Sequence, residues 1–113
     1  MSDFIPRAGF FELFLWAIGR RRRFVVEGHS MMPLLNPGEE VLIADMPFPF
    51  KVGDTILFLH PQNPDLLILK RIDSIMNDAL FLRGANPSDS LDSRSFGPVP
   101  LPMVKGVVTS RFF

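Results

Sequence analysis

The spacing of proline constrains the fold of this chain more than any other feature of its sequence. Its 113 residues include 11 prolines, and each proline removes a backbone N–H and fixes φ, which interrupts long helices and separates short strands. Six short runs rich in β-branched, aliphatic and aromatic residues predict strands: residues 24–27, 40–44, 55–59, 66–75, 79–83 and 104–109. We therefore expect a mainly β domain in which antiparallel strands form coiled or barrel-like sheets.

One short helix is expected near the N-terminus, over residues 8–18. Its apolar stretch of roughly 11 residues is shorter than the roughly 20 needed to span a bilayer. The basic cluster at residues 20–23 follows the apolar part, which is the reverse of the order in a cleavable signal peptide. The helix could pack on the domain, or lie in a membrane interface with the arginines on the headgroups. We expect two parts, residues 1–23 and a β domain of residues 24–113.

Composition excludes several kinds of site and partner. The 12 basic and 12 acidic residues balance, so net charge gives no argument for nucleic acid as a partner. Because the chain has no cysteine, it forms no disulfide, thiolate zinc site or cysteine nucleophile. With 2 histidines, a multi-histidine metal site is not expected. We therefore expect no metal or other cofactor, and a reducing cytoplasm is compatible with the chain.

Ser30 and Lys70 form a candidate nucleophile and general base. A serine hydroxyl needs a base to take its proton, and a lysine can do so only when neutral. The ordinary lysine pKa of about 10.4 would have to fall by roughly 3 units, which desolvation in an apolar site can supply. Strand alternation places Lys70 on one face with Ile68 and Ile72. Gly28 would let a substrate approach closely, and the Ser30 N–H could donate to an oxyanion.

Each of these residues also has a structural interpretation. Ser30 could be a turn residue or a helix N-cap, and Lys70 could be a lysine that extends to solvent from a strand end. A serine–histidine mechanism would have to use His60, because His29 is adjacent to Ser30 and should point elsewhere in an extended segment. The aspartates lie mostly in turn contexts.

Four segments in the same order resemble the boxes of the type I signal peptidase family of Ser/Lys proteases. They are a nucleophile box at residues 30–35, a glycine-aspartate strand at 52–58, a lysine box at 69–72 and a last box at 84–97. The resemblance covers about residues 25–108. It implies a small signal-peptidase- or repressor-protease-like fold of coiled antiparallel sheets with one short N-terminal helix, and a serine endopeptidase that needs no cofactor.

The resemblance also implies a role for individual residues. Ser30 would be the nucleophile, Lys70 the general base, and Ser90 the residue that orients the Lys70 amine. Five residues would support the site: Gly28, Gly84, Asn86, Asp92 and Arg94, the last two as an ion pair. Five apolar residues would line shallow substrate pockets: Val26, Met31, Leu35, Ile68 and Leu69. Plain core packing is the alternative for this apolar set.

The chain departs from the family pattern at several positions. Ala85 stands where an aspartate usually follows the box glycine, and Leu34 replaces the threonine usual after the box proline. Gly28 falls where some members have a second oxyanion hydroxyl, so only a backbone donor would act there.

The short length, the absence of a spanning helix and the sequence of residues 86–99 resemble the nickel-type superoxide dismutase maturation proteases. That branch implies a protein substrate, the N-terminal propeptide of a dismutase precursor, and a cytoplasmic location with peripheral membrane contact through residues 1–23. The alternatives are a general signal peptidase, a self-cleaving repressor-type domain, and a catalytically inactive β module at a membrane surface.

Overall fold

The computed structural model describes residues 5–28, 31–85 and 92–112, without the side chains of Pro64 and Ser95. Strands of these ranges form one antiparallel sheet in the order β1-β2-β7-β3-β4-β5-β6. The strands are β1 (Arg22–Val25), β2 (Glu40–Asp45), β3 (Thr55–His60), β4 (Asn63–Ile75), β5 (Ala79–Arg83), β6 (Val99–Pro100) and β7 (Val104–Arg111). The helices are α1 (Phe10–Ala17), α2 (Ser93–Phe96) and a 3₁₀ turn at Leu101–Met103.

The mainly β fold with one short N-terminal helix is confirmed, and the six predicted runs correspond to β1–β5 and β7. The largest difference is at β4, which begins at Asn63 because His60 pairs with Asn63 across a tight turn. The sequence Gln62-Asn63-Pro64 is typical of a turn, so the predicted strand begins only at residue 66. β6 was missed because it has only two residues, and its Pro100 is tolerated on an edge strand. β1 begins at Arg22, inside the segment assigned to the N-terminal part.

β3 is covered on both faces of the sheet, and its sequence is therefore a nearly continuous apolar run. Ile56 and Phe58 on one face of β3 are fully buried in a cluster that includes Ile72 of β4. Leu57 on the opposite face belongs to a second cluster, with Leu69 of β4. Alternate residues of a strand point to opposite faces, so the two clusters together bury the strands that flank the candidate site.

Helix α1 lies on the sheet with its polar residue inward. The Glu12 carboxylate accepts hydrogen bonds from Thr109 Oγ1 and Ser110 Oγ of β7, at 2.5 and 2.9 Å. It also accepts one from Arg21 Nε at 3.2 Å. Trp16 packs edge-on against Phe112, with ring centroids 4.8 Å apart. The helix therefore packs on the β domain, which is the first of the two arrangements expected from the sequence.

The outward face of α1 is apolar. Phe10, Phe11 and Phe14 are 89%, 69% and 53% exposed, and no residue of α1 is fully buried. No helix within the described ranges is long and apolar enough to cross a membrane.

Gly106 is the position where the sheet tolerates no side chain. It lies between Asp45 of β2 and Leu57 of β3, and a Cβ there would meet the Ile43 side chain and lie 2.8 Å from the Ala44 carbonyl oxygen. We expect Gly106→Ala to lower the free energy of unfolding by about 1–3 kcal/mol, measured by denaturant titration. Gly9→Ala is the control, because no atom lies within 4 Å of its Cβ position. An equal loss in both variants would contradict this account of packing.

Candidate active site

Lys70 lies in the middle of β4 and is buried. It pairs with Ile56 of β3 and is 2% exposed. On its own face of the strand it has Ile72, which is also 2% exposed, and Ile68, which is half-buried. Lys70 is therefore not a lysine that extends to solvent from a strand end. Burial disfavours the charged form of an amine, which is the condition that a lysine general base needs.

Ser30 and the neighbouring His29 lie outside the described residues, but the chain on both sides of them is well anchored. Val26 donates its N–H to the Glu39 carbonyl at 2.8 Å. Gly28 has a φ of 76°, in the left-handed region that glycine adopts readily. Met31, directly after Ser30, is 1% exposed and belongs to the apolar cluster that contains Leu69. The candidate nucleophile is thus bracketed by two residues fixed to the core, Val26 and Met31.

In the last box, Asn86 and Ser90 also lie outside the described residues, whereas Asp92 is fully buried. The Asp92 carboxylate accepts hydrogen bonds from the Arg94 side chain, at 3.1 Å from Nε and 3.0 Å from Nη2. It also accepts from the Arg94 N–H at 3.0 Å and, at the longer distance of 3.5 Å, from the Gly84 N–H. The expected ion pair is therefore present with a two-pronged geometry. It links Gly84 to the start of α2, the two ends of the segment that contains Ser90.

Ser93 is a buried residue of this region that the sequence reasoning missed. Its Oγ accepts a hydrogen bond from the Leu82 N–H at 2.8 Å, so α2 is attached to β5. Leu82 in turn pairs with Ile72 of β4, two residues from Lys70. The available signal was the Asp-Ser-Arg sequence, in which an aspartate N-cap precedes a helical turn.

The environment of Asp92 favours its charged form. Burial alone would raise the pKa of this carboxyl, but hydrogen bonds from the Arg94 side chain and from the Arg94 and Gly84 N–H groups, together with the Arg94 charge, lower it below its usual value. The hydrogen bond from Asp92, and then its charge, raise the pKa of the Arg94 guanidinium. Asp92 therefore remains ionised at neutral pH and acts as a structural anchor.

Four of the five predicted pocket residues line one small groove. Val26, Met31, Ile68 and Leu69 surround a cavity of about 50 Å³, together with Phe24, Glu27 and Leu67. The fifth, Leu35, is fully buried in the core cluster that contains Val26, Met31 and Leu69. The structure thus brings four of the five predicted residues to one cavity, while their role in substrate binding remains a prediction. Among the described residues, no group of three or more histidine, aspartate and glutamate side chains is placed to hold a metal ion.

The chain matches the family model described as signal peptidase, peptidase S26, over residues 8–78 and 72–113. It is similar to mitochondrial inner membrane protease subunit 1 of Schizosaccharomyces pombe, 30% identical over 110 residues, covering 77% of this chain and 70% of that protein. It is also similar to mitochondrial ATP-independent inner membrane protease subunit 1a of Arabidopsis thaliana, 31% identical over 112 residues, 76% of this chain and 67% of that protein.

A third relative is mitochondrial inner membrane protease subunit 2 of Mus musculus, 29% identical over 109 residues, 74% of this chain and 62% of that protein. None of these three names refers to a nickel superoxide dismutase or to a cytoplasmic location. The branch and the location expected from the sequence therefore gain no support from these relatives.

Asp92 should make stability depend on pH. Because its pKa is lowered in the folded chain, its contribution is fully present above the ordinary value of about 3.9 and is lost as the pH falls through the lower folded value. Asp92→Asn should lower the free energy of unfolding by about 1–3 kcal/mol at pH 7, and by progressively less below about pH 4. Denaturant titrations from pH 7 to pH 3 measure the difference. Asp73→Asn, at an exposed position, is the control, and a pH-independent loss in Asp92→Asn would contradict this account.

Proposed function

Because the chain belongs to the signal peptidase family, peptidase S26, we propose that it is a serine endopeptidase with Ser30 as nucleophile and Lys70 as general base. The observation that carries the proposal is the position of Lys70. It is the only lysine among the described residues that is buried, at 2% exposure, while Lys51 and Lys105 are exposed. A lysine kept from water among isoleucines is suited to take a proton at neutral pH.

The proposed reaction has two stages. Ser30 Oγ attacks the carbonyl carbon of the scissile peptide bond while Lys70 Nζ accepts the serine proton. Lys70 then gives that proton to the leaving amine, so the C–N bond breaks and an ester to Ser30 remains. Water, deprotonated by Lys70, attacks the ester and regenerates the serine. The Ser30 N–H is the proposed donor to the developing oxyanion.

The last box positions the amine of Lys70 in this proposal. Ser90 would hold the amine by a hydrogen bond, and the Asp92–Arg94 pair supports Ser90 by fixing the two ends of its segment, at Gly84 and α2. Because Ser93 attaches α2 to β5, the box and Lys70 are carried by adjacent strands. Asp92 and Arg94 are thus positioning residues with no direct role in bond breaking.

We propose that the substrate is a precursor protein whose N-terminal extension is removed, bound in an extended conformation beside the strands of the site. The relatives named as inner membrane proteases support a role in protein processing at a membrane. The propeptide of a nickel-type superoxide dismutase is a narrower prediction that rests only on the sequence resemblance of residues 86–99. A secretory signal peptide is the alternative substrate.

Contact with a membrane is supported by the orientation of α1. The hydrogen bonds of Glu12 to β7 fix the helix so that Phe10, Phe11 and Phe14 face outward. The basic residues 20–23 follow directly, with Arg20, Arg22 and Arg23 exposed. Exposed aromatic rings beside arginines are typical of a segment that lies in the membrane interface. The N-terminal part would then attach the domain to the surface where precursors emerge.

Replacement of Lys70 tests the proposed mechanism. We expect Lys70→Met and Ser30→Ala to lower kcat/KM by about 10³-fold or more, because the nucleophile loses its base or is itself lost. In the wild type, kcat/KM should rise with pH, since only the neutral amine accepts a proton. Lys51→Met, at an exposed lysine, is the matched control and should keep full activity. Thermal unfolding would confirm that each variant folds, and full activity in folded Lys70→Met would refute the dyad.

A cleavage assay with two precursors distinguishes the candidate substrates. Intact-mass spectrometry would follow a nickel superoxide dismutase precursor and a secretory preprotein, each incubated with the wild type or with Ser30→Ala. A single Ser30-dependent cut at the nickel-binding N-terminus would support the narrower prediction. A cut only in the signal peptide would support the general signal peptidase.

Liposome flotation tests the membrane contact. We expect the wild type to float with vesicles that contain anionic lipid. The triple variant Phe10→Ser/Phe11→Ser/Phe14→Ser should remain at the bottom, because these three rings supply most of the apolar area that would be buried in the bilayer. Val52→Ser, which removes an apolar side chain 53% exposed elsewhere on the surface, should float like the wild type. Equal flotation of the triple variant would exclude α1 as the contact.

A further inference from the structure

A groove of two adjoining cavities lies between β1 and the first half of β4. The small cavity described above shares Phe24 and Leu67 with a second cavity of about 520 Å³. The second cavity is also lined by Ile43, Met46 and Leu57 and by the charged residues Arg22, Arg23, Asp45 and Lys105. The shared lining is thus apolar, and the two cavities, which form the two ends of the groove, each have charged lining residues.

Both walls of the groove offer strand edges. β1 is the first strand in the sheet order and pairs only with β2. In β4, the pairing with β5 begins at Arg71, so residues 67–69 pair on one side only, with β3. Within the described ranges, these two edges therefore have backbone groups that no other strand occupies. An extended polypeptide can bind such edges through its main chain, and side-chain pockets then select its sequence.

The two ends of the groove carry opposite charges. Glu27 lines the small cavity, is exposed, and has no ion pair among the described residues. Lys105 lines the far end, is exposed, and likewise has no ion pair in the described part of the chain. Arg22 and Arg23 stand at the same end as Lys105 but are paired with Asp45 and Glu40, at 2.8 and 3.0 Å. The free negative and positive charges are therefore Glu27 and Lys105.

The distance between the ends corresponds to a few residues of extended chain. Glu27 follows β1 by two residues, whereas Lys105 lies on β7, two strands away from β1 in the sheet order, so only a segment of several extended residues could contact both. We propose that the groove binds one extended segment of the protein substrate and selects its charge order. The preferred segment has a basic residue facing Glu27 and an acidic residue facing Lys105, on opposite sides of an apolar centre. This inference rests on the proposed endopeptidase function, since that function supplies the extended substrate.

Peptide binding tests the charge order without requiring cleavage. Two fluorescent 14-residue peptides would share one composition and one apolar centre, and differ only in the exchange of the lysine and the glutamate that flank that centre. Anisotropy titrations would use the Ser30→Ala protein, so that both peptides stay intact. We expect one order to bind about 3–10-fold more tightly, as two exposed charge pairs allow. The preference should shrink as salt is raised, because exposed charges are screened.

Charge reversal in the protein makes the test specific. The double variant Glu27→Lys/Lys105→Glu, in the Ser30→Ala background, should invert the preference between the two peptides. The matched control is Arg7→Glu/Asp73→Lys, which makes the same exchange at two exposed positions outside the groove. The control should keep the wild-type preference.

Each outcome separates this inference from the proposed function. An inverted preference supports charge selection, even if no precursor is cut in the assays above. Equal binding of both peptides, or a preference that survives the double reversal, would overturn charge selection and leave the endopeptidase proposal intact. Absence of binding up to millimolar peptide would also overturn it, because the groove would then not accept an extended chain.

Discussion

The antiparallel pairing of β3 with β4 is the interaction on which the rest of the site depends. It places Lys70 directly opposite Ile56, and both faces of this pair are covered by apolar clusters. Taking an amine out of water is unfavourable unless the surroundings compensate for it. The large apolar area buried by β3 and its neighbours is what allows a chain of this size to tolerate that cost.

A second constraint acts through Asp92. Its carboxylate accepts hydrogen bonds from both Gly84 and Arg94, so the residue that follows β5 is joined to α2 by an electrostatic contact. Ser93 adds a second link between α2 and β5. Because β4 pairs directly with β5, the strand that carries Lys70 is held close to α2 and Asp92.

The features that depend on local pattern could be predicted from the sequence. Alternation and turn residues were sufficient for most strands, and alternation placed Lys70 on one face with Ile68 and Ile72, but it left open whether the amine reaches solvent. The extension of β4 back to Asn63 was not predictable in this way, because the pairing of Asn63 with His60 overrides the turn preference of Asn and Pro. Ser93 was missed because its partner, Leu82, belongs to another element. The charged groove depends on the approach of β1 to β4, more than forty residues apart in the chain, which no local pattern reports.

The orientation of α1 has a consequence for how the chain meets other surfaces. Glu12 is bonded to Thr109, Ser110 and Arg21, so a rotation of the helix that buried the phenylalanine rings would break these contacts. The rings are therefore exposed in the same arrangement that satisfies the carboxylate. In the proposed attachment through these rings, affinity would follow from the apolar surface that the chain encounters and not from the population of an open state.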